Sequence, residues 1–243
     1  MSPRIAAATA GRVLRQLRHD PRTIALVLVV PAVLVTLVKY VFHDSPVFDR
    51  IGGPLLGVFP LITMFLVTSI TMLRERTSGT LERLMTMPLA KFDLLAGYAA
   101  AFALLAAVQS VLVSTIAFWA LDLNIAGAKW AVFLLALANA LLGTSLGLFV
   151  SAFARTEFQA IQFLPAFIFP QLLLCGLLAP RDHMARALEL VSWALPLTYA
   201  YDALDRTVHA VYGARLAVDV VVVLALAGIA LGAGAATLRR RTP

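Results

Sequence analysis

Residues 23–42 read TIALVLVVPAVLVTLVKYVF, an apolar run interrupted by one charge, Lys39, close to its end. A helix needs about 20 such residues to cross the hydrocarbon core of a bilayer. Backbone groups in hydrocarbon must pair within the segment, so this run predicts a transmembrane helix. Working outward from it, the stretches 54–73, 94–120, 130–154, 159–179 and 216–238 have the same character. Ten-residue segments alternating apolar and polar side chains, as in a membrane β-barrel, are not seen. The predicted fold class is therefore all-α integral membrane, with six spans in a single domain over 1–243.

The composition agrees. The chain is 61% hydrophobic and 14% charged, with a mean hydropathy of +0.89, whereas a soluble domain carries about 25% charged residues. So few charges cannot cover a water-facing surface, and the surplus apolar area must face lipid. A net charge of +7 can signal nucleic acid, but the Lys and Arg residues lie in short clusters between apolar runs. The positive-inside rule accounts for that distribution, and no nucleic-acid partner is expected.

With the N-terminal segment inside, 13 of the 20 Lys and Arg residues fall on the inner side, against 5 of the 13 acidic residues. This favours six spans with both termini cytoplasmic, in a bacterial inner (cell) membrane. The flank before the first span carries five arginines, Arg4, Arg12, Arg15, Arg18 and Arg22, and does not read as the short leader of a cleaved signal peptide. The one cysteine, Cys175, lies in an apolar run and reads as a buried small residue.

Three segments do not span. In 3–20, Val13, Leu14 and Leu17 share one side while Arg12, Arg15 and Arg18 recur every third position, predicting an amphipathic helix on the inner membrane surface. The inner loop RERTSGTLERLMTMPLAKFD (74–93) holds a short helix that Ser78 caps and Pro88 ends, with Leu81, Leu84 and Met85 at helical spacing. Segment 180–212 is too polar to span. Pro196 divides it into two short helices at the outer leaflet, with Trp193, Tyr199, Tyr201 and Tyr212 at headgroup level.

No GxxxxGK[ST] phosphate loop, HExxH or GxSxG occurs in the chain, so its own chemistry is not that of an ATPase, a zinc protease or a serine hydrolase. Intramembrane charges, which mark proton and ion pathways, are nearly absent. Asp219, at the outer end of the sixth span, is four residues from Arg215 and is expected to pair with it. A passive channel would need a polar stripe, and only Gln109, Asn139, Gln162 and Gln171 are scattered through the spans. A membrane enzyme would need catalytic groups converging at one face. The pairs Gly143-xxx-Gly147 and Gly228-xxx-Gly232 allow close helix approach.

Three stretches together resemble the ABC type-2 exporter permeases, over nearly the whole chain: LRQLRHDPRTIALVLVVPAVL, RERTSGTLERLMTMPL, and RTEFQAIQFLPAFIFPQLLLCGLLAP followed by LPLTYAYDALDR. The resemblance implies a transport subunit that is not itself an enzyme. It would work with a second permease subunit, identical or homologous, and with two copies of a separate ABC ATPase subunit that carry the ATP and Mg. No cofactor is expected in this chain. The loop 75–90 would be the coupling element, with Glu75, Arg76, Ser78, Leu81, Glu82, Arg83 and Leu84 seated in the ATPase. Segment 3–20 would be the connecting helix, and 180–212 the outer re-entrant helices. The second and fifth spans would face their counterparts across the dimer axis.

The cargo is read from the lining those two spans offer: Phe59, Thr63 and Phe65 from the second, Gln162, Phe163, Phe167 and Gln171 from the fifth. An uncharged aromatic lining suits a lipophilic drug or a lipid-like substrate. Export of a lipid-linked glycan or polysaccharide is the alternative.

Overall fold

The computed structural model describes residues 3–43, 47–85 and 91–237, apart from the side chains of Glu82, Leu84, Met85 and Lys91. Among the described residues there are helices and connecting turns and no strand. Six helices are long and apolar enough to cross a membrane. Together with the composition, they make this a multi-pass membrane protein.

Helix α1, Pro3–Arg18, leads through Asp20 into α2, Pro21–Val41. The Asp20 carboxylate caps α2, accepting from Thr23 N at 3.2 Å and Thr23 Oγ1 at 2.6 Å, and Pro21 enters the first turn where no amide partner is needed. Next come α3, Val47–Thr77, and α4, Thr80–Met85. Helix α5, Lys91–Thr115, ends in a π-helical turn, Ile116–Ala120. Helix α6 is Lys129–Val150. The fifth span is α7, Glu157–Phe163, a π-helical turn, Leu164–Ile168, and α8, Phe169–Leu174. Helices α9, Arg186–Ser192, and α10, Pro196–Val208, precede the last span, α11, Ala214–Thr237.

The second span differs most from the apolar run that predicts it. α3 has 31 residues, roughly 46 Å at 1.5 Å per residue, well beyond the hydrocarbon thickness. It begins before Gly52-Gly53-Pro54 because Asp49, in its first turn, accepts from Asn124 N at 3.1 Å and anchors that end to the loop after α5. At the other end it runs on through Thr77 into the predicted loop. The fourth span stops at Val150, where Ser151 Oγ donates to Leu148 O at 2.6 Å. The fifth stops at Leu174, just before Gly176 takes φ +105° and turns the chain away.

Helices α3 and α6 form the most extensive pair and the centre of the bundle. Gly143 and Gly147 make this possible, since a Cβ at either would run into the α3 carbonyls of Leu61 and Phe65. Nothing lies within 4 Å of Gly228 or Gly232, so the same spacing in α11 faces the outside of the bundle. A pair not singled out in the sequence, Gly53 and Gly57 of α3, receives Val208 and Leu204 of α10. α10 is therefore no surface helix. Its buried face, including Leu197, Ala200 and Leu204, packs on α3, α6 and α11.

Three of the four scattered amides join helices. Gln109 Nε2 donates to Thr63 Oγ1 at 2.6 Å, Asn139 Nδ2 to Ala200 O at 3.3 Å, and Gln171 Oε1 accepts from Leu197 N at 3.3 Å. Asp219 is also differently placed from its expected pairing. α10 lies alongside α11, so Arg206 Nε reaches the buried Asp219 carboxylate at 3.1 Å, while Arg215 turns outward over the Trp193 ring.

Candidate functional site

One end of the bundle gathers α1, the last turns of α3, α4, and the ends of α5, α7 and α11. α1 forms because Val13 and Leu17, with Thr9, recur at i, i+4 and i+8 and bury one stripe. That stripe packs on α5, and it approaches closely because residue 97 is glycine: a Cβ there would meet Ala6 O at 2.8 Å and Thr9 Cβ at 2.5 Å.

Successive residues on a helix are turned by about 100°, and the last turns of α3 use this to reach three neighbours at once. Arg74 makes a bidentate pair with Glu157 at the start of α7, Nε–Oε1 at 2.7 Å and Nη2–Oε2 at 3.0 Å. Glu75 faces α1, accepting from Arg12 Nη1 at 3.1 Å and Gln16 Nε2 at 3.1 Å. Arg76 faces α11, where Nη2 donates to Thr237 Oγ1 at 3.4 Å. The Arg12 guanidinium also donates to the Tyr98 hydroxyl of α5 and lies 5.5 Å from that ring's centre.

The Arg74–Glu157 pair is about half exposed, whereas the Glu75 side chain is only 9% exposed. The Glu75 interaction is accordingly the one shielded from water. α7 starts on a local device: Thr156 Oγ1 accepts from Gln159 N at 3.2 Å, and Gln159 Oε1 accepts from Arg155 N at 2.8 Å.

Between α3 and α4 the chain reverses at Gly79, whose φ of +72° is open to glycine and costly for other residues. Ser78 Oγ lies 3.0 Å from Thr80 Oγ1, and Arg83 N donates to Gly79 O at 3.1 Å. Leu81 is buried in the same cluster as Val13, Leu17 and Leu94, so α4 joins the apolar core that α1 and α5 share. Arg83 is exposed. The side chains of Glu82 and Leu84 lie outside the described residues, as do Met87, Pro88 and the rest of loop 75–90 beyond Met85. A groove of about 260 Å³ between α1, α3 and α4 is lined by Val13, Gln16, Asp20, Thr71, Ser78 and Thr80. Hydrogen bonds from the Thr23 hydroxyl and amide hold the Asp20 carboxyl below its ordinary range, so it stays charged beside this groove.

Of the expected coupling residues, Glu75 is thus turned inward to α1, Arg76 inward to α11, and Leu81 sits beneath α4. Among those whose side chains are described, Ser78 and Arg83 are on the open surface. The sequence signal for Glu75's partner was present in the Arg12–Gln16 spacing, one turn apart on one face.

The expected lining residues do not converge within one chain. Phe65 is fully buried and stacks on Phe167, centroids 6.4 Å apart and planes 9° apart. Gln171 is buried against the start of α10. Phe59 packs on a cluster with Val35 and Phe48. Thr63 lines an apolar groove of about 250 Å³ between α2 and α3, with Val30, Leu66 and Val67. Gln162 and Phe167 are exposed on the fifth span and Phe163 is half-buried. The fifth span has 17% of its residues buried in the single chain, against 61% for α3 and for α6.

Residues 5–208 match the ABC-2 type transporter family, and the chain belongs to that family. Among its relatives is the probable multidrug ABC transporter permease YbhR of Escherichia coli K12, 28% identical over 148 residues, 61% of this chain and 40% of YbhR. ABC transporter G family member 20 of Dictyostelium discoideum is 28% identical over 174 residues, 72% of this chain and 24% of that protein. The chain thus spans well under half the length of these relatives.

Proposed function

We propose that this chain is the membrane-spanning subunit of an ATP-driven exporter of lipophilic compounds, worked by a separate ABC ATPase. The observation that carries the reading is the triple attachment at Arg74–Arg76. A force applied to α4 reaches α1 through Glu75, α7 through Arg74 and α11 through Arg76. A subunit without a phosphate loop can respond to ATP only through an element gripped by its partner and rigidly joined to the spans. α4 inserts Leu81 into the cluster shared with α1 and α5 and exposes Arg83. Ser78, Glu82, Arg83 and Leu84 form the grip on the ATPase, while Glu75, Arg76 and Leu81 transmit it. The family and the multidrug designation of YbhR support the same assignment.

Two such subunits would pair with two ATPase subunits, ATP and Mg residing on the latter. The Lys and Arg distribution supports a cytoplasmic α1–α4 end, and the membrane in this reading is a bacterial inner membrane. Cargo would travel along the open face of the fifth span, past Gln162, Phe163 and Phe167, and along the apolar groove at Thr63.

The test is transport of a lipophilic dye into inverted vesicles holding this chain and its ATPase. Glu82→Lys and Leu84→Asp are expected to abolish transport and cargo-stimulated ATP hydrolysis while insertion stays normal. Full transport by both variants would remove the coupling role from α4. Dye movement without any ATPase would refute the energy source.

A further inference from the structure

At the end of the bundle opposite α4, a cavity of about 490 Å³ opens between the start of α3, the segment after α8, and α10. Its lining includes the charged residues Arg50, Arg181, Asp202, Asp205 and Arg206, with His209 and Tyr201 beside them. Some of these charges are matched internally. Arg181 Nη2 holds Asp202 Oδ2 at 2.6 Å, and Arg206 Nε holds Asp219, behind the wall, at 3.1 Å.

The remainder is one charge of each sign. Arg50 is exposed and has no ion-pair partner among the described residues. Among the described residues, the Asp205 carboxylate has only His209 Nδ1 within ion-pair distance, at 3.6 Å, and that nitrogen donates to the Asp205 carbonyl at 2.8 Å. Arg181 Nη1 is buried without an acceptor, although Nη2 of the same guanidinium is paired. Buried donors in native proteins nearly always find a partner, so this nitrogen calls for a water or a bound group beside it.

We propose that this cavity binds a zwitterionic head group, its oxyanion on Arg50 and Arg181 and its ammonium on Asp205. A bare anion gains from Arg50 but is repelled by Asp205, and a bare cation meets the reverse. A molecule carrying both charges on one short scaffold satisfies both, and charge-assisted hydrogen bonds to guanidinium and carboxylate are the strong kind. Phosphoethanolamine has this pattern, free or as the head of a membrane lipid. The inference does not rest on the export reading and survives if transport is not found.

Trp193 gives a direct readout, because its ring lies 4.5 Å from the Arg181 guanidinium carbon. In a Trp119→Phe, Trp130→Phe background it is the only tryptophan. The full chain is placed in phosphatidylglycerol nanodiscs and titrated with short-chain phosphatidylethanolamine, free phosphoethanolamine, short-chain phosphatidylglycerol and inorganic phosphate. A saturable change in Trp193 fluorescence with the two zwitterions is expected. Phosphate and phosphatidylglycerol should bind at least about tenfold more weakly, and Arg50→Gln and Asp205→Asn should each weaken the zwitterions by about tenfold. Arg50→Lys should retain most of the binding. Tighter binding of the lipid than of free phosphoethanolamine assigns the site to membrane lipid, and equal binding assigns it to the soluble head group. Phosphate binding as tightly as phosphoethanolamine, or both neutralised variants binding like the parent, overturns the proposal.

Discussion

Glu75 shows how one side chain can be placed wrongly by its neighbours in sequence and rightly by its neighbours in space. It stands between Arg74 and Arg76 in a charged stretch that reads as the start of the inner coupling loop. Its carboxylate is nevertheless shielded and held by α1 across more than fifty positions of chain. Removing Arg12 leaves that carboxylate buried and unpaired, so Arg12→Met is expected to destabilise by on the order of 3 kcal/mol. Adding Glu75→Leu to Arg12→Met should recover much of the loss, because two apolar groups leave no charge stranded. Thermal unfolding in one detergent measures both, and a double variant no more stable than Arg12→Met would show that the pair is not what holds α1. Gly143→Val tests packing. Its side chain enters the Leu61 carbonyl of α3, and a loss of at least about 1–3 kcal/mol is expected, against no change for Gly228→Val in open space.

At the scale of elements, α1 and α4 were legible and their seating was not. The Val13–Leu17 stripe and the arginine rhythm announce an amphipathic helix, but periodicity cannot say whether the apolar stripe meets lipid or protein. Gly97 decides for protein by letting α5 come close. α10 reads from Pro196 and its tyrosines as a short helix dipping into the outer leaflet or lying on it, and Gly53 and Gly57 decide its seat against α3. The start of α7 carries a legible signal in Thr156-Glu157-Phe158-Gln159, a capping sequence. The Arg74–Glu157 link between α3 and α7 is exposed, so breaking it should cost at most about 1 kcal/mol of stability. Its expected effect is on coupling. Arg74→Glu and Glu157→Arg should each lower cargo-stimulated ATP hydrolysis with insertion unchanged, and the double swap should restore it. Hydrolysis unaffected in both single variants would detach α7 from the transmission path.

For the whole molecule, the asymmetry of burial matters more than the number of spans. α3 and α6 are covered on most sides, whereas α2, the fifth span and α11 are covered on few. Lipid can cover such faces, and so can a second copy. The fifth span differs from α2 and α11 in carrying Gln162 and two prolines, Pro165 and Pro170, on its open side, features poorly suited to lipid contact. In a Cys175→Ser background, Ile161→Cys is therefore expected to cross-link two copies in native membranes, and Ile229→Cys on α11 is not. Efficient cross-linking at 229 with none at 161 would move the subunit contact to the other side of the bundle.

Apolar run length and arginine placement by themselves determined that this protein is a six-span helical membrane protein with a charged hairpin between its second and third spans. Those properties follow from transfer of each segment between water and lipid, which depends on local composition alone. Only the tertiary structure decided what Glu75, Asp219 and the membrane amides pair with, which glycine pairs are used, and where unmatched charge collects around the cavity at Arg50. Each of these is a contact between segments far apart in the chain, set by how closely two helix backbones can approach, and no local pattern encodes that distance.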